Sequence, residues 1–225
     1  MVTKHWRSLP ITAPLLLFIG LVLVPPLAGG SSITDQVFAI RNVSQVRGIR
    51  VNIWTAQQPS NWYAIASPVS ICTSTDLCTG SFFETGYVKG TITEPDNILQ
   101  QYASWTDPDG RTRNVFNLGN LSDNTWYQFQ SLYSNSAQRW EAWRGSLVVY
   151  YVPYALSFTS GNMVLCGAEG GGTGVPLAVE CNNMRYKVGS GSWTQYNYTG
   201  VQRTPGYCAY KPYEYGAIVR GPNCE

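Results

Sequence analysis

Two glutamates, Glu84 and Glu169, stand where a carboxylate could do chemistry. Glu84 interrupts the largely apolar run Phe82-Phe83-Glu84-Thr85-Gly86-Tyr87-Val88. Glu169 closes the run Met163-Val164-Leu165-Cys166-Gly167-Ala168-Glu169, just ahead of a glycine cluster at 170–174. A charge in such a run either faces water or occupies a cleft. Gly86, Gly167 and Gly170 would leave room beside both carboxylates for a ligand backbone. The other acidic residues have simpler explanations. Asp107 and Asp109 fall in the turn Asp107-Pro108-Asp109-Gly110, where Asp opens the turn and Pro presets the next φ. Calcium ligation there lacks a full loop of spaced oxygen ligands. Asp96 and Asp123 also read as turn residues.

Histidine chemistry is missing. The single imidazole, His5, lies in an amino-terminal segment that reads as a removable signal. Without it there is no Ser-His-Asp or Cys-His nucleophile and no His-based zinc site. Proton transfer must then come from carboxylates, tyrosines or an oxygen-ligated metal.

The elements that must position these side chains are strands. Short β-like runs recur at 49–56, 62–71, 81–89, 113–118, 126–133, 146–152, 162–169, 175–188 and 193–198. Turn chemistry separates them: Pro59-Ser60-Asn61, Pro95-Asp96-Asn97, the Asp107–Gly110 turn and Gly189-Ser190-Gly191. A short helix is expected at 34–41. Abundant Tyr, Trp and Thr with sparse charge suit pleated, half-buried surfaces. The expectation is an all-β antiparallel sandwich or jelly roll.

Residues 1–30 read as a secretory signal, with Lys4, His5 and Arg7 before an apolar stretch, a Pro25-Pro26 break and small residues at Ala28-Gly29-Gly30. The apolar run is shorter than the ~20 residues of a spanning helix, so no stable membrane insertion is expected after cleavage. Residues 31–225 then form a single domain of a secreted protein. Removing Lys4 and Arg7 leaves thirteen basic residues against thirteen acidic ones. With no basic stripe, nucleic acid is not an expected partner. All six cysteines lie beyond the signal, and an even count in an exported chain reads as three disulfides. Six cysteines allow fifteen pairings; nearest neighbours are the working assignment, Cys72 with Cys78, Cys166 with Cys181, and Cys208 with Cys224. Three sequons, at Asn42, Asn120 and Asn197, match the N-glycosylation acceptor pattern.

The segment around Glu84 resembles the hydrophobic–Glu/Gln–x–Gly strand of the secreted glutamic peptidases, the scytalidopepsin-like eqolisins and the neprosins. Tyr102-Ala103-Ser104-Trp105-Thr106 is similar to their following tyrosine-and-tryptophan strand. Val164-Leu165-Cys166-Gly167-Ala168-Glu169 is similar to the strand ending in their second catalytic glutamate. The resemblance implies a concanavalin-like sandwich of two curved antiparallel sheets and peptide-bond hydrolysis without a cofactor. It implies Glu169 as the general base acting on water. Glu84, which replaces the fungal glutamine, would stay protonated as its partner. Two carboxyls in one cleft do not both ionise easily, so one pKa rises. The implied activity favours acid pH, where a singly protonated pair exists.

Most of the tryptophans are expected to be packing residues. On one face of a curved sheet, Trp54 and Trp105 would instead line a substrate groove. Gln128 and Gln130 alternate with Tyr127 and Phe129, giving a polar row that either lines a groove or faces solvent. The substrate is a peptide or protein under the peptidase reading. The competing readings are a carbohydrate-binding, lectin-like sandwich that takes a polysaccharide, a glycoside hydrolase using the carboxylate pair, and a structural surface protein without a site.

Overall fold

The side chains of Val37, Ala39, Val51, Ile53, Phe129 and Val164 are completely buried, and they belong to strands that turn one face inward throughout. The structure, a computed structural model, describes residues 33–56, 65–76, 78–89, 98–171 and 174–224. The signal-like segment with His5, residue Trp62 and the turns at 59–61 and 95–97 lie outside the described residues. Those described belong to one compact unit.

All of the regular structure described is β. In chain order the strands are β1 (Ile33–Trp54), β2 (Ile65–Cys72), β3 (Phe82–Lys89), β4 (Leu99–Thr106), β5 (Thr112–Val115), β6 (Trp126–Ser134) and β7 (Arg139–Arg144). They continue with β8 (Leu147–Tyr151), β9 (Gly161–Gly171), β10 (Leu177–Val188), β11 (Thr194–Gln195), β12 (Gly200–Arg203), β13 (Cys208–Tyr210) and β14 (Ala217–Gly221). Every pairing is antiparallel. Among the described residues no helix is long and apolar enough to cross a membrane.

Two layers follow from the long first strand. The amino-terminal half of β1 lies between β12 and β9, in the order β12-β1-β9-β2-β3-β4-β5, which we call sheet I. Its carboxy-terminal half lies between β10 and β6, in the order β13-β14-β10-β1-β6-β7-β8, called sheet II. The ladder with β9 is irregular between Asn42 and Val46, and Gln45 there adopts a left-handed φ of 56°. The chain changes sheet at that bulge, as bulged strands do at sandwich corners.

The core fills the space between the layers. Val37, Val69, Phe83 and Ala103 from sheet I meet Val51, Phe129, Trp140 and Val219 from sheet II. Ser131 Oγ of β6 donates across the gap to the Val69 carbonyl at 2.7 Å. The Cys166–Cys181 disulfide joins β9 to β10. Cys72–Cys78 and Cys208–Cys224 complete the three bridges, so the nearest-neighbour pairing is the one found.

The helix expected at 34–41 is replaced by strand. Phe38 is buried on the outer face of sheet I by Met163, Leu165 and Cys72, while Val37 and Ala39 are buried on the inner face. Covering both faces erased the alternation that marks a strand.

Candidate active site

Sheet I has its inner face in the core, and both glutamates project from its outer face. The register makes this so. Glu84 on β3 stands opposite Ser70 on β2 and Ser104 on β4. Glu169 on β9 stands opposite Ala66 on β2 and Gln36 on β1. Ala66 and Ser70 are four residues apart on one strand, and a period of two puts them on the same face. The two carboxylates therefore flank, on a diagonal, the intervening row of Gly167, Pro68, Gly86 and Tyr102. Both glutamates are half-buried.

That row is unusual. A proline inside a central strand removes a ladder donor. Paired residues on either side, Ala66 with Glu169 and Val69 with Cys166, bring Gly167 opposite Pro68. Ser67 Oγ donates to the Gly167 carbonyl at 2.7 Å and supplies the hydrogen that Pro68 lacks. The glycines are not open space, as the sequence had suggested. A Cβ on Gly86 would lie 1.9 Å from the Ser67 carbonyl oxygen, and one on Gly167 would lie 2.1 Å from that of Val37. On Gly170 it would meet Val175 at 2.8 Å. Neighbouring protein atoms fill these positions; what the glycines permit is close backbone approach and a low floor between the acids.

Hydroxyl groups from the flanking strands hold Glu84. Ser70 Oγ donates to its Oε2 at 2.6 Å, and Tyr102 OH donates to its Oε1 at 3.1 Å. Burial lifts the Glu84 pKa well above the ordinary carboxylate range, and those two hydrogen bonds pull it partly back. Burial also lifts Glu169, and the nearby charge of Glu84 raises it further. Tyr102 is pushed well above its usual value by burial and then by the charges of Glu84 and Glu169, so it remains a neutral donor.

The other candidate residues are elsewhere. Trp105 is 3 % exposed and points into the core, where it stacks on Tyr150 and its Nε1 donates to Asp107 Oδ1 at 3.0 Å. It offers no ring face to a ligand, because its odd position on β4 puts it on the opposite side from Tyr102. Trp54 stands opposite Trp126, and Gln128 opposite Asn52, along β1 and β6 on the outer face of sheet II. Trp54 packs on Trp126, and Gln128 Nε2 donates to Asn52 Oδ1 at 3.1 Å. The switch of β1 between layers sends Trp54 to the far side of the sandwich from the glutamates. Gln130 in the same row is buried rather than solvent-facing. The residues missed were Ser70, Pro68 and Ser67. Their one signal was a proline within the otherwise strand-like run Ile65-Ala66-Ser67-Pro68-Val69-Ser70-Ile71.

Among the described residues no group of three or more His, Cys, Asp or Glu side chains could hold a metal ion. The arrangement sets two carboxyls with raised pKa values on one face of the sheet, with a neutral phenol beside Glu84.

The fold is similar to that of scytalido-glutamic peptidase bound to a peptide-based transition-state analogue. The TM-score is 0.56 at 13% identity, over 83% of this chain and 98% of that one. A second structure of that peptidase, with a transition-state analogue inhibitor, gives 0.51 at 9% identity over the same shares. At these identities the likeness is one of fold, and it is the fold that the strand motifs implied. No protein-family model matches the sequence, and no curated protein does.

Proposed function

We propose that this protein is a glutamic-type endopeptidase in which Glu84 and Glu169 activate water to hydrolyse a peptide bond. The observation that carries the reading is the shared face. Two acids distant in sequence project from one side of sheet I, on either side of a low floor, with each pKa raised by burial. The likeness to a peptidase fold supports it. A peptide or protein is the substrate.

With one proton on the pair, the ionised carboxylate removes a proton from water as the water oxygen attacks the carbonyl carbon. The protonated carboxyl hydrogen-bonds the developing oxyanion. Collapse breaks the C–N bond, the leaving amine takes a proton from the acid, and a carboxyl and an amine are released. No covalent intermediate or cofactor enters. Because both pKa values are raised, the singly protonated window moves away from acid pH toward neutrality. Three disulfides in a chain of this kind fit an oxidising, extracellular setting.

Digestion of an unfolded protein substrate from acid to neutral pH, by the intact chain and by a Glu84→Gln, Glu169→Gln double variant, tests the reading. We expect cleavage by the intact chain alone, falling about 10²–10⁴-fold or more in the variant. Equal digestion by both, or none by the intact chain at any pH, would remove the peptidase and leave a binding or structural role.

A further inference from the structure

The proposed reaction leaves one question that the hydrogen bonds answer: which carboxyl is ionised when the pair holds a single proton. A donor aimed at a carboxylate oxygen stabilises the charged form. Each oxygen of Glu84 has one. Ser70 reaches Oε2 from β2, and Tyr102 reaches Oε1 from β4. Tyr102 does not compete for ionisation, because burial and the two neighbouring charges hold its proton in place. Glu169 is differently served. Its cross-strand neighbours are Ala66 and Gln36, and among the described residues no hydrogen bond reaches its carboxylate. No Lys, Arg, Asp or His stands opposite either glutamate on β1, β2 or β4. Among the described residues, the ionisable groups on this part of the outer face are thus Glu84, Glu169 and Tyr102.

We propose that Ser70 and Tyr102 fix Glu84 as the ionised member of the pair, so that Glu84 is the general base and Glu169 the acid. This inference rests on the peptidase reading and reverses the roles implied by the family resemblance. Glu84 takes the proton of the attacking water. Glu169 hydrogen-bonds the oxyanion and gives its proton to the departing amine as the C–N bond breaks. Glu84 then returns a proton to Glu169, directly or through the next water, and the pair is restored. Ser70 and Tyr102 are positioning residues that act through Glu84.

Two measurements test it. The first compares kcat of the single variants Glu84→Gln and Glu169→Gln on one peptide substrate. A glutamine in place of the base cannot accept a proton, whereas a glutamine in place of the acid still donates to the oxyanion. We expect Glu84→Gln to fall about 10³-fold and Glu169→Gln to retain at least about tenfold more activity. The opposite order, or equal loss, overturns the assignment. An inactive intact chain overturns the peptidase reading instead, which keeps the two failures distinct.

The second measurement is the pH profile of Ser70→Ala. Losing one donor raises the Glu84 pKa by about one unit. If Glu84 is the base, the acid limb of the bell moves to higher pH and the alkaline limb stays. If Glu84 is the acid, the alkaline limb moves and the acid limb stays, and the inference is lost. A purely structural role for Ser70 would lower the whole profile without shifting either limb, which also counts against it. Should Ser70→Ala fail to fold, Tyr102→Phe removes the other donor and must displace the same limb.

Discussion

Half-buried carboxyls with raised pKa values tie the stability of this protein to pH as well as its activity. The folded state of Glu84 and Glu169 favours the protonated form relative to the unfolded chain. Their contribution is complete below the ordinary glutamate pKa and is lost as pH rises through the raised values. Urea midpoints should therefore fall from acid to mildly alkaline pH in the intact chain and stay level in the double glutamine variant. At the alkaline end the variant should be the more stable by about 1–3 kcal/mol. Asp107 behaves in the opposite sense. Burial pushes its pKa up, but hydrogen bonds from Tyr154, Arg113 and Trp105 and the charge of Arg113 outweigh it and hold the pKa low. Asp107→Ala strands the Trp105 and Tyr154 donors and should cost about 2–3 kcal/mol near neutral pH, read from thermal melts. Part of that loss should vanish as pH falls through the depressed pKa. Glu84 and Glu169 could be picked out in the sequence because each broke an apolar run. Ser70 could not, since its role depends on which residue of β3 lies across from it. Asp107 was read as a turn residue, which it is; its burial under Tyr154, 47 residues away, left no local mark.

At the level of elements, the surface between the two acids is set by how three strands pass one another. Pro68 opens a gap in the ladder, Ser67 closes it with its side chain, and Gly86 and Gly167 let the backbones meet. Ser67→Ala leaves the buried Gly167 carbonyl without that donor and should destabilise by about 1–3 kcal/mol. Gly86→Ala drives a methyl into the Ser67 carbonyl and should cost about 3 kcal/mol or more. Denaturant titration of both variants checks the order: the glycine variant must be the weaker of the two. Strands β3, β6 and β8 were visible within a residue or two of their bounds because aromatic and β-branched residues crowd each run between turn signals. The first half of β1 was mistaken for helix because both its faces are covered, and β7 and the short strands β12, β13 and β14 were missed. These last are three to five residues long; β12 and β14 are held by β1 and β10, distant in sequence, and β13 is too short to carry a pattern.

On the scale of the whole molecule, two of the bridges do different work. Cys166–Cys181 ties the two layers through the core, three residues before Glu169. Cys72–Cys78 closes a loop beside the apolar cluster of Phe38, Met163 and Leu165 on the outer face of sheet I. Replacing both Cys166 and Cys181 by alanine should lower stability by about 2–4 kcal/mol and, on the proposed peptidase reading, reduce turnover, since Glu169 is anchored through that strand. Guanidinium midpoints and initial rates of peptide cleavage on the same preparation would show whether the two losses go together.

The sheet change within β1 has a consequence for how the molecule comes apart. One 22-residue strand is a member of both layers, so neither leaf can peel away while the other stays intact. Amide protons at Val37 and Ala39 and those at Val51 and Ile53, although they sit in different leaves, should exchange with deuterium together and only through global opening. A spine shared in this way makes the face that carries both acids as durable as the fold itself.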